Sequence, residues 1–198
     1  MRKKIGITGG IACGKSTVLK YIKSLGIEVF SCDDCAREIY PRPEVQDFIR
    51  SYLSELPESA VPVYEDNGIV GKWVTRQLLV DHPGFKEKLE AITHPIIRAE
   101  MFASPAVVCE VPLLFEGGRT EDYEEIWVVA CDEKEQHRRL TARLQGDAEL
   151  ARRWAKVQMP LAEKIAKATR VIWTNVPEET VNQNVHKMLI DAGVLTSR

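Results

Sequence analysis

Nine residues, Gly9-Gly10-Ile11-Ala12-Cys13-Gly14-Lys15-Ser16-Thr17, constrain this chain more than any others. They follow a short apolar stretch, Ile5-Gly6-Ile7-Thr8, and lead into a helical pattern of Val18, Leu19, Ile22 and Leu25 closed by Gly26. The spacing G-x-x-x-x-G-K-S is complete from Gly9 to Ser16, and the strand before it and helix after it separate a phosphate loop from a chance match. Glycines let the backbone fold tightly, so successive N–H groups can face an anion. The helix that starts here adds its positive N-terminal end. In such a loop Lys15 reaches the outer phosphates and the Ser16 hydroxyl ligates Mg²⁺. The stretch is expected to hold a nucleoside triphosphate.

The 198 residues suit one globular domain with room for an insertion. A net charge of -2 provides no bulk attraction to nucleic acid or a membrane surface. No segment approaches the about 20 apolar residues of a membrane span, and the apolar run after the basic Met1-Arg2-Lys3-Lys4 is too short for a signal peptide. A cytoplasmic protein is expected, with its five cysteines reduced. Cys32 and Cys35 form a C-x-x-C, but no second ligand pair has zinc-site spacing, so they read as unrelated thiols.

Apolar patterning predicts strands over 4–8, 27–30, 106–111, 126–130 and 171–173, with helices over 14–25, 133–145, 147–158, 161–169 and 177–192. Asp147 is the expected cap of the helix it precedes. Between the second and third strands, 34–104 reads as mostly helical, with a loop over 56–71 and a kink or restart at His94-Pro95. Alternating strands and helices predict a parallel sheet with helices on both faces, and the long link must carry a helical insertion. Ligands should bind beyond the C-terminal strand ends, where the phosphate loop and Asp33 both lie.

Motors, GTPases and small-molecule kinases share such a loop, so other residues must discriminate. Asp33 follows the second strand directly and could accept the proton of a substrate hydroxyl attacking the γ-phosphate, contact Mg²⁺ through water, or cap a helix, as Asp34 equally could. Glu110 ends the third strand, where an acid holds the hydration shell of Mg²⁺ or is tied to backbone. In Pro112-Leu113-Leu114-Phe115-Glu116 the apolar part reads as packing and Glu116 as the part able to touch a substrate. Arg139 and Arg143 share a helix face, within a basic cluster around Gly146-Asp147 that reads as a mobile lid or a solvated face. Cys13 is either a reactive thiol, lowered in pKa by the helix N-terminus and Lys15, or a small filler whose sulfur points away from the loop's concave side.

The chain resembles the dephospho-CoA kinase family over nearly its whole length. The resemblance lies in Thr8-Gly9-Gly10-Ile11, in Asp33 with Ala36-Arg37-Glu38, in Arg76, in Leu89-Glu90-Ala91-Ile92-Thr93-His94-Pro95 and in Val111-Pro112-Leu113-Leu114-Phe115-Glu116. It continues in Gln136 with Arg139, Leu140 and Arg143, and in Gln158-Met159-Pro160 with Lys164. It implies an α/β, three-layer P-loop NTPase fold with a five-stranded parallel sheet, a helical substrate-binding insertion and a small helical lid. The implied division is a nucleotide-binding core of 1–33, 105–138 and 168–198, an insertion of 34–104 and a lid of 139–167.

The resemblance also implies ATP-dependent, Mg²⁺-assisted phosphorylation of the ribose 3′-hydroxyl of dephospho-CoA, the last step of coenzyme A synthesis. Asp33 is then the base; Arg76, His94, Leu113 and Glu116 serve the acceptor; Arg139, Arg143 and Asn175 serve ATP; Ser16 and Glu110 serve the metal. No nucleic acid or membrane partner is implied, and a monomer or small homo-oligomer is expected. The chain departs from the family pattern at Ser31-Cys32-Asp33, where an Asp-Ala-Asp keeps only its second acid, at Glu110 in place of Asp, at Trp154 in place of Arg, and at Thr174, where the family's Asn falls. Another nucleoside or nucleotide kinase is the alternative within the same core. A GTPase-type switch would carry an Asn-Lys-x-Asp signature, which the sequence lacks.

Overall fold

Five apolar segments form one parallel sheet: β1 (Ile5–Gly9), β2 (Val29–Ser31), β3 (Val108–Glu110), β4 (Glu125–Ala130) and β5 (Arg170–Trp173), ordered β2-β3-β1-β4-β5. The computed structural model describes residues 4–56, 64–65, 68–82 and 84–196, without the side chains of Arg76, Val80 and Val157. Between the strands run α1 (Lys15–Ser24), α2 (Cys32–Ile39), α3 (Pro43–Ser54), α4 (Lys72–Asp81), α5 (Phe85–Ala103), α6 (Glu133–Arg143), α7 (Ala148–Val157) and α8 (Leu161–Lys167), and α9 (Glu178–Asp191) follows β5. The chain divides into two compact units, Met1–Cys32 with Pro105–Arg198, and Asp33–Ser104.

In the first unit, β4 shows why its apolar run is continuous. Trp127 and Val129 face one side and pack with Ile5, Ile7, Val18, Ile22, Val185 and Leu189, drawn from β1, α1 and α9. Ile126 and Val128 face the other side and pack with Leu114, Phe115, Leu161 and Ile165. A strand alternates its side chains, so burial of both faces demands apolar residues at every position. Each such side chain, fully buried, contributes about 1.5–3 kcal/mol. The pairing places Ile7 opposite both Glu110 of β3 and Trp127 of β4, so the C-terminal ends of the central strands lie together.

In the second unit, Val45, Ile49, Leu53, Val74, Leu78 and Phe85 form a separate helical core. Gln46 is buried but satisfied: its Nε2 donates to the Tyr40 carbonyl at 2.8 Å and its Oε1 accepts from the Val70 N–H at 2.8 Å. Of the kink or restart expected at His94-Pro95, the restart does not occur. α5 continues through it from Phe85 to Ala103. A proline lacks one donor and crowds the preceding turn, and in α5 the helix continues on both sides of it. The expected loop over 56–71 lies largely outside the described residues.

The ends of β4 and β5 at Ala130 and Trp173 fall where predicted, and the other strand ends lie one or two residues away. β2 includes the buried Ser31, so α2 starts at once with Cys32. Asp147 caps α7 as expected, its carboxylate accepting from the Leu150 N–H at 2.8 Å. Asp132 caps α6 in the same way through the Glu135 N–H at 2.7 Å.

Candidate active site

The loop between β1 and α1 turns too tightly for ordinary residues. A Cβ on Gly9 would lie 2.5 Å from the Val129 carbonyl oxygen, and one on Gly10 2.7 Å from Cys13 Sγ and 2.9 Å from Gln136 Nε2. Gly14, at φ 87°, takes the left-handed conformation just before α1, and Ala12 does so at φ 59° without being glycine. That conformation is uncommon for a residue with a Cβ. Among the described residues, the N–H groups of Ile11, Ala12, Gly14, Lys15 and Ser16 have no hydrogen-bond acceptor. Unpaired amides at a helix N-terminus make an anion cradle.

Lys15 Nζ lies 3.1 Å from Glu110 Oε1, each side chain about one-fifth exposed at 20% and 21%. Glu110 ends β3 beside β1, so the sheet register itself brings this acid to the phosphate loop. Ser16 and Thr17 are exposed at the start of α1. The oxygens of Ser16 and Glu110 are the hard donors that Mg²⁺ takes, and among the described residues no cluster of His, Cys, Asp and Glu could hold a metal unaided.

Behind the loop runs a set of hydrogen bonds between residues far apart in sequence. The buried Thr174 follows β5 and donates through Oγ1 to the Cys13 carbonyl at 2.7 Å. Arg139 donates to Thr174 Oγ1 at 2.9 Å and to the Thr174 carbonyl at 2.8 Å, and its Nε donates to Glu135 at 2.7 Å. Gln136 Nε2 donates to the Ile11 carbonyl at 3.0 Å. Arg138 and Arg139 hold the Glu135 carboxyl down at about 2, Arg138 being the stronger influence. Arg139 is thus engaged as a brace, whereas Arg143, at the end of α6, is exposed with no ion-pair partner among the described residues. Thr174 and Gln136 escaped the sequence reading as site residues, because their loop contacts lie 161 and 125 positions away.

Cys13 is the filler. It is wholly buried, with its Sγ 3.5 Å from Cys131 Sγ. The contact with Cys131, together with burial, pushes the Cys13 thiol up, while the same contact draws Cys131 down. Of the two readings of Cys13, its burial against Cys131 favours the small filler over the reactive thiol.

Glu116 is likewise occupied. Its carboxylate lies 2.9 Å from the buried Lys164 Nζ and accepts from the Met159 N–H at 3.0 Å. Burial works to raise its pKa, but the bonds from Lys164 and Met159 outweigh it and the carboxyl stays below its ordinary value. Leu113 beside it is exposed and Leu114 buried. Asn175 is exposed after Thr174.

In the other unit, Asp33 is exposed in the first turn of α2 with no hydrogen-bond or ion-pair partner among the described residues. Asp34 instead pairs with Arg37 on the same helix. His94 is half-buried on α5, and the Arg76 side chain lies outside the described residues.

The family model described as dephospho-CoA kinase matches residues 3–178. The chain belongs to the dephospho-CoA kinase family. A dephospho-CoA kinase of Geobacillus kaustophilus is 35% identical over 193 residues, covering 92% of this chain and 94% of the relative. One from Geobacter sulfurreducens is 34% identical over 197 residues, covering 93% and 95%. Among solved structures, a Thermus thermophilus protein superposes with a TM-score of 0.75 at 28% identity, over 96% of this chain and 97% of the other. The Campylobacter jejuni dephospho-CoA kinase superposes with a TM-score of 0.74 at 24% identity, over 98% and 100%, which speaks to the fold.

Proposed function

We propose that this chain carries out the reaction of its family, transfer of the γ-phosphoryl group of ATP to the ribose 3′-hydroxyl of dephospho-CoA, which yields coenzyme A. The observation that carries the proposal is the phosphate loop with its unpaired N–H groups and the Lys15–Glu110 pair, in a chain matched by the family model over residues 3–178.

In this reading the acceptor oxygen attacks the γ-phosphorus and the bond to the β,γ-bridging oxygen breaks, so ADP leaves. Asp33 takes the hydroxyl proton, and its exposed carboxylate, without a partner among the described residues, suits that task. Lys15 neutralises charge on the transferring group, and the Ile11, Ala12, Gly14, Lys15 and Ser16 amides receive phosphate oxygens. Ser16, and Glu110 through water, would hold Mg²⁺, which would supply positive charge to offset that of the triphosphate. Arg143 serves the nucleotide from the lid region and Asn175 from the loop after β5. Arg76, His94 and Leu113 serve the acceptor, and Glu116 keeps the segment carrying Leu113 in place through Lys164. No helix of the described residues is long and apolar enough to cross a membrane, and the enzyme is proposed to work in the cytoplasm as a monomer or small homo-oligomer.

The test is ATP consumption with dephospho-CoA, nucleosides and nucleoside monophosphates as competing acceptors. Preference for dephospho-CoA, with the new phosphate on the 3′-oxygen, supports the proposal. Preference for a nucleoside or nucleotide rejects it.

A further inference from the structure

Two side chains grip the phosphate loop by its carbonyls. Thr174 Oγ1 reaches the Cys13 carbonyl at 2.7 Å and Gln136 Nε2 reaches the Ile11 carbonyl at 3.0 Å. The Thr174 hydroxyl has one proton and two acceptors in range, Cys13 at 2.7 Å and Ala130 at 3.2 Å. The Ala130 carbonyl already accepts from the Thr174 N–H at 2.8 Å. Arg139 donates into Oγ1 at 2.9 Å, which occupies a lone pair and leaves the hydroxyl acting as donor. The shorter distance and the satisfied competitor therefore direct the proton to Cys13.

The consequence lies on the other side of each peptide. None of the described peptide bonds is cis, and in a trans peptide the carbonyl and the following N–H point in opposite directions. Holding the Cys13 carbonyl outward turns the Gly14 N–H inward, and holding the Ile11 carbonyl outward does the same for Ala12. Both amides are among those without a partner. Ala12 also sits at φ 59°, a conformation that a residue with a Cβ leaves unless its surroundings hold it.

We infer that Thr174 and Gln136 are positioning residues for phosphoryl transfer, which set the direction of the Gly14 and Ala12 N–H groups toward the bound triphosphate. The inference rests on the ATP reading above. It gives Thr174 a task at the phosphate end of the nucleotide, although the resemblance places it where the family's Asn falls.

Thr174→Val keeps the shape of the side chain and removes the donor; Thr174→Ser restores the donor. Binding of Mg-ATP and of adenosine would be measured on the full chain, with turnover, melting temperature and the amide resonances of Ala12 and Gly14. Thr174→Val should weaken Mg-ATP binding about tenfold and turnover about ten- to a hundredfold, since small misplacements of positioned groups are that costly. Adenosine binding should be unchanged, and Thr174→Ser should recover both losses. The ATP-induced shift of the Gly14 amide should shrink in Thr174→Val. Wild-type behaviour of Thr174→Val overturns the inference, as does an equal loss for ATP and adenosine, which assigns Thr174 to the nucleoside. A wild-type chain that binds no Mg-ATP would reject the nucleotide reading instead. Should Thr174→Val not fold, Gln136→Met carries the same comparison at Ala12, with the same outcomes.

Discussion

Lys15 Nζ lies 3.1 Å from Glu110 Oε1, so the cation of the phosphate loop is balanced by the acid at the end of the neighbouring strand. In the proposed reaction these are the groups that would serve the triphosphate and its metal. Lys15→Ala should lower kcat/KM by about 10²–10³, the usual cost of losing one group that stabilises transition-state charge. It should change stability by no more than about 1 kcal/mol, because a pair near the surface contributes little. Glu110→Gln should instead move the Mg²⁺ activation curve to higher concentration with the fold retained. Normal turnover in Lys15→Ala would remove the phosphate-loop reading.

Asp33 has no hydrogen-bond or ion-pair partner among the described residues, whereas its neighbour Asp34 is engaged by Arg37. Asp33→Asn should therefore cut the chemical step by about 10²–10⁴ with Mg-ATP affinity preserved, as expected for loss of a general base. Single-turnover kinetics separate the two quantities. Weakened ATP binding with an unchanged chemical step would assign Asp33 to the metal or to structure.

Arg139 and Arg143 share a face of α6 but not a fate. Arg139 braces Thr174 and Glu135, so Arg139→Ala should cost about 1–2 kcal/mol of stability as well as activity, the range for a hydrogen-bonded charged group that is partly solvated. Arg143 is exposed, so Arg143→Ala should lower turnover with an unchanged melting temperature. Thermal denaturation beside steady-state kinetics distinguishes them. Identical stability losses would show that the brace contributes nothing.

The fold was legible where one residue's surroundings are set by its near neighbours. The apolar runs of β1, β3 and β4 announce strands buried on both faces, and the glycine spacing announces the turn before α1. Glu110 could be placed because parallel strand ends gather at one sheet edge. The jobs of Thr174, Cys13 and Glu116 could not be read, because each depends on a partner set by tertiary packing: the Cys13 carbonyl, Cys131 and Lys164 respectively. Nor does local sequence decide whether Pro95 ends a helix; the helix on both sides of it does.

Lys164 is fully buried and Glu116 is its counter-charge. Glu116→Gln strands a buried ammonium and should cost about 3 kcal/mol, at the low end for a broken buried pair because the carboxylate is partly exposed. Lys164→Met leaves only that partly exposed carboxylate and should cost clearly less. The acid limb should reflect the same pair. The Glu116 pKa is lowered in the folded state, so its contribution is present above the unfolded value near 4.5 and is lost as pH falls through the folded value. Urea unfolding from pH 7 down to pH 3 should show a shallower acid loss in Glu116→Gln than in the wild type. Equal slopes would remove Glu116 from the acid response.

The last prediction concerns the thiols. Cys13, Cys35, Cys109 and Cys131 are buried, and Cys32 is half-buried at the start of α2. Burial pushes Cys109 up to about 11, and Cys13 is raised by its contact with Cys131 and by burial. Alkylation needs both access and a thiolate. Iodoacetamide at neutral pH should therefore label Cys32 first in the native protein and leave Cys13 unmodified. Mg-ATP should make no difference at Cys13, since its sulfur is buried against Cys131. In denaturant all five should react alike. Mass spectrometry of timed digests locates the label, and rapid, ATP-sensitive modification of Cys13 would show that its sulfur reaches the concave side of the loop after all.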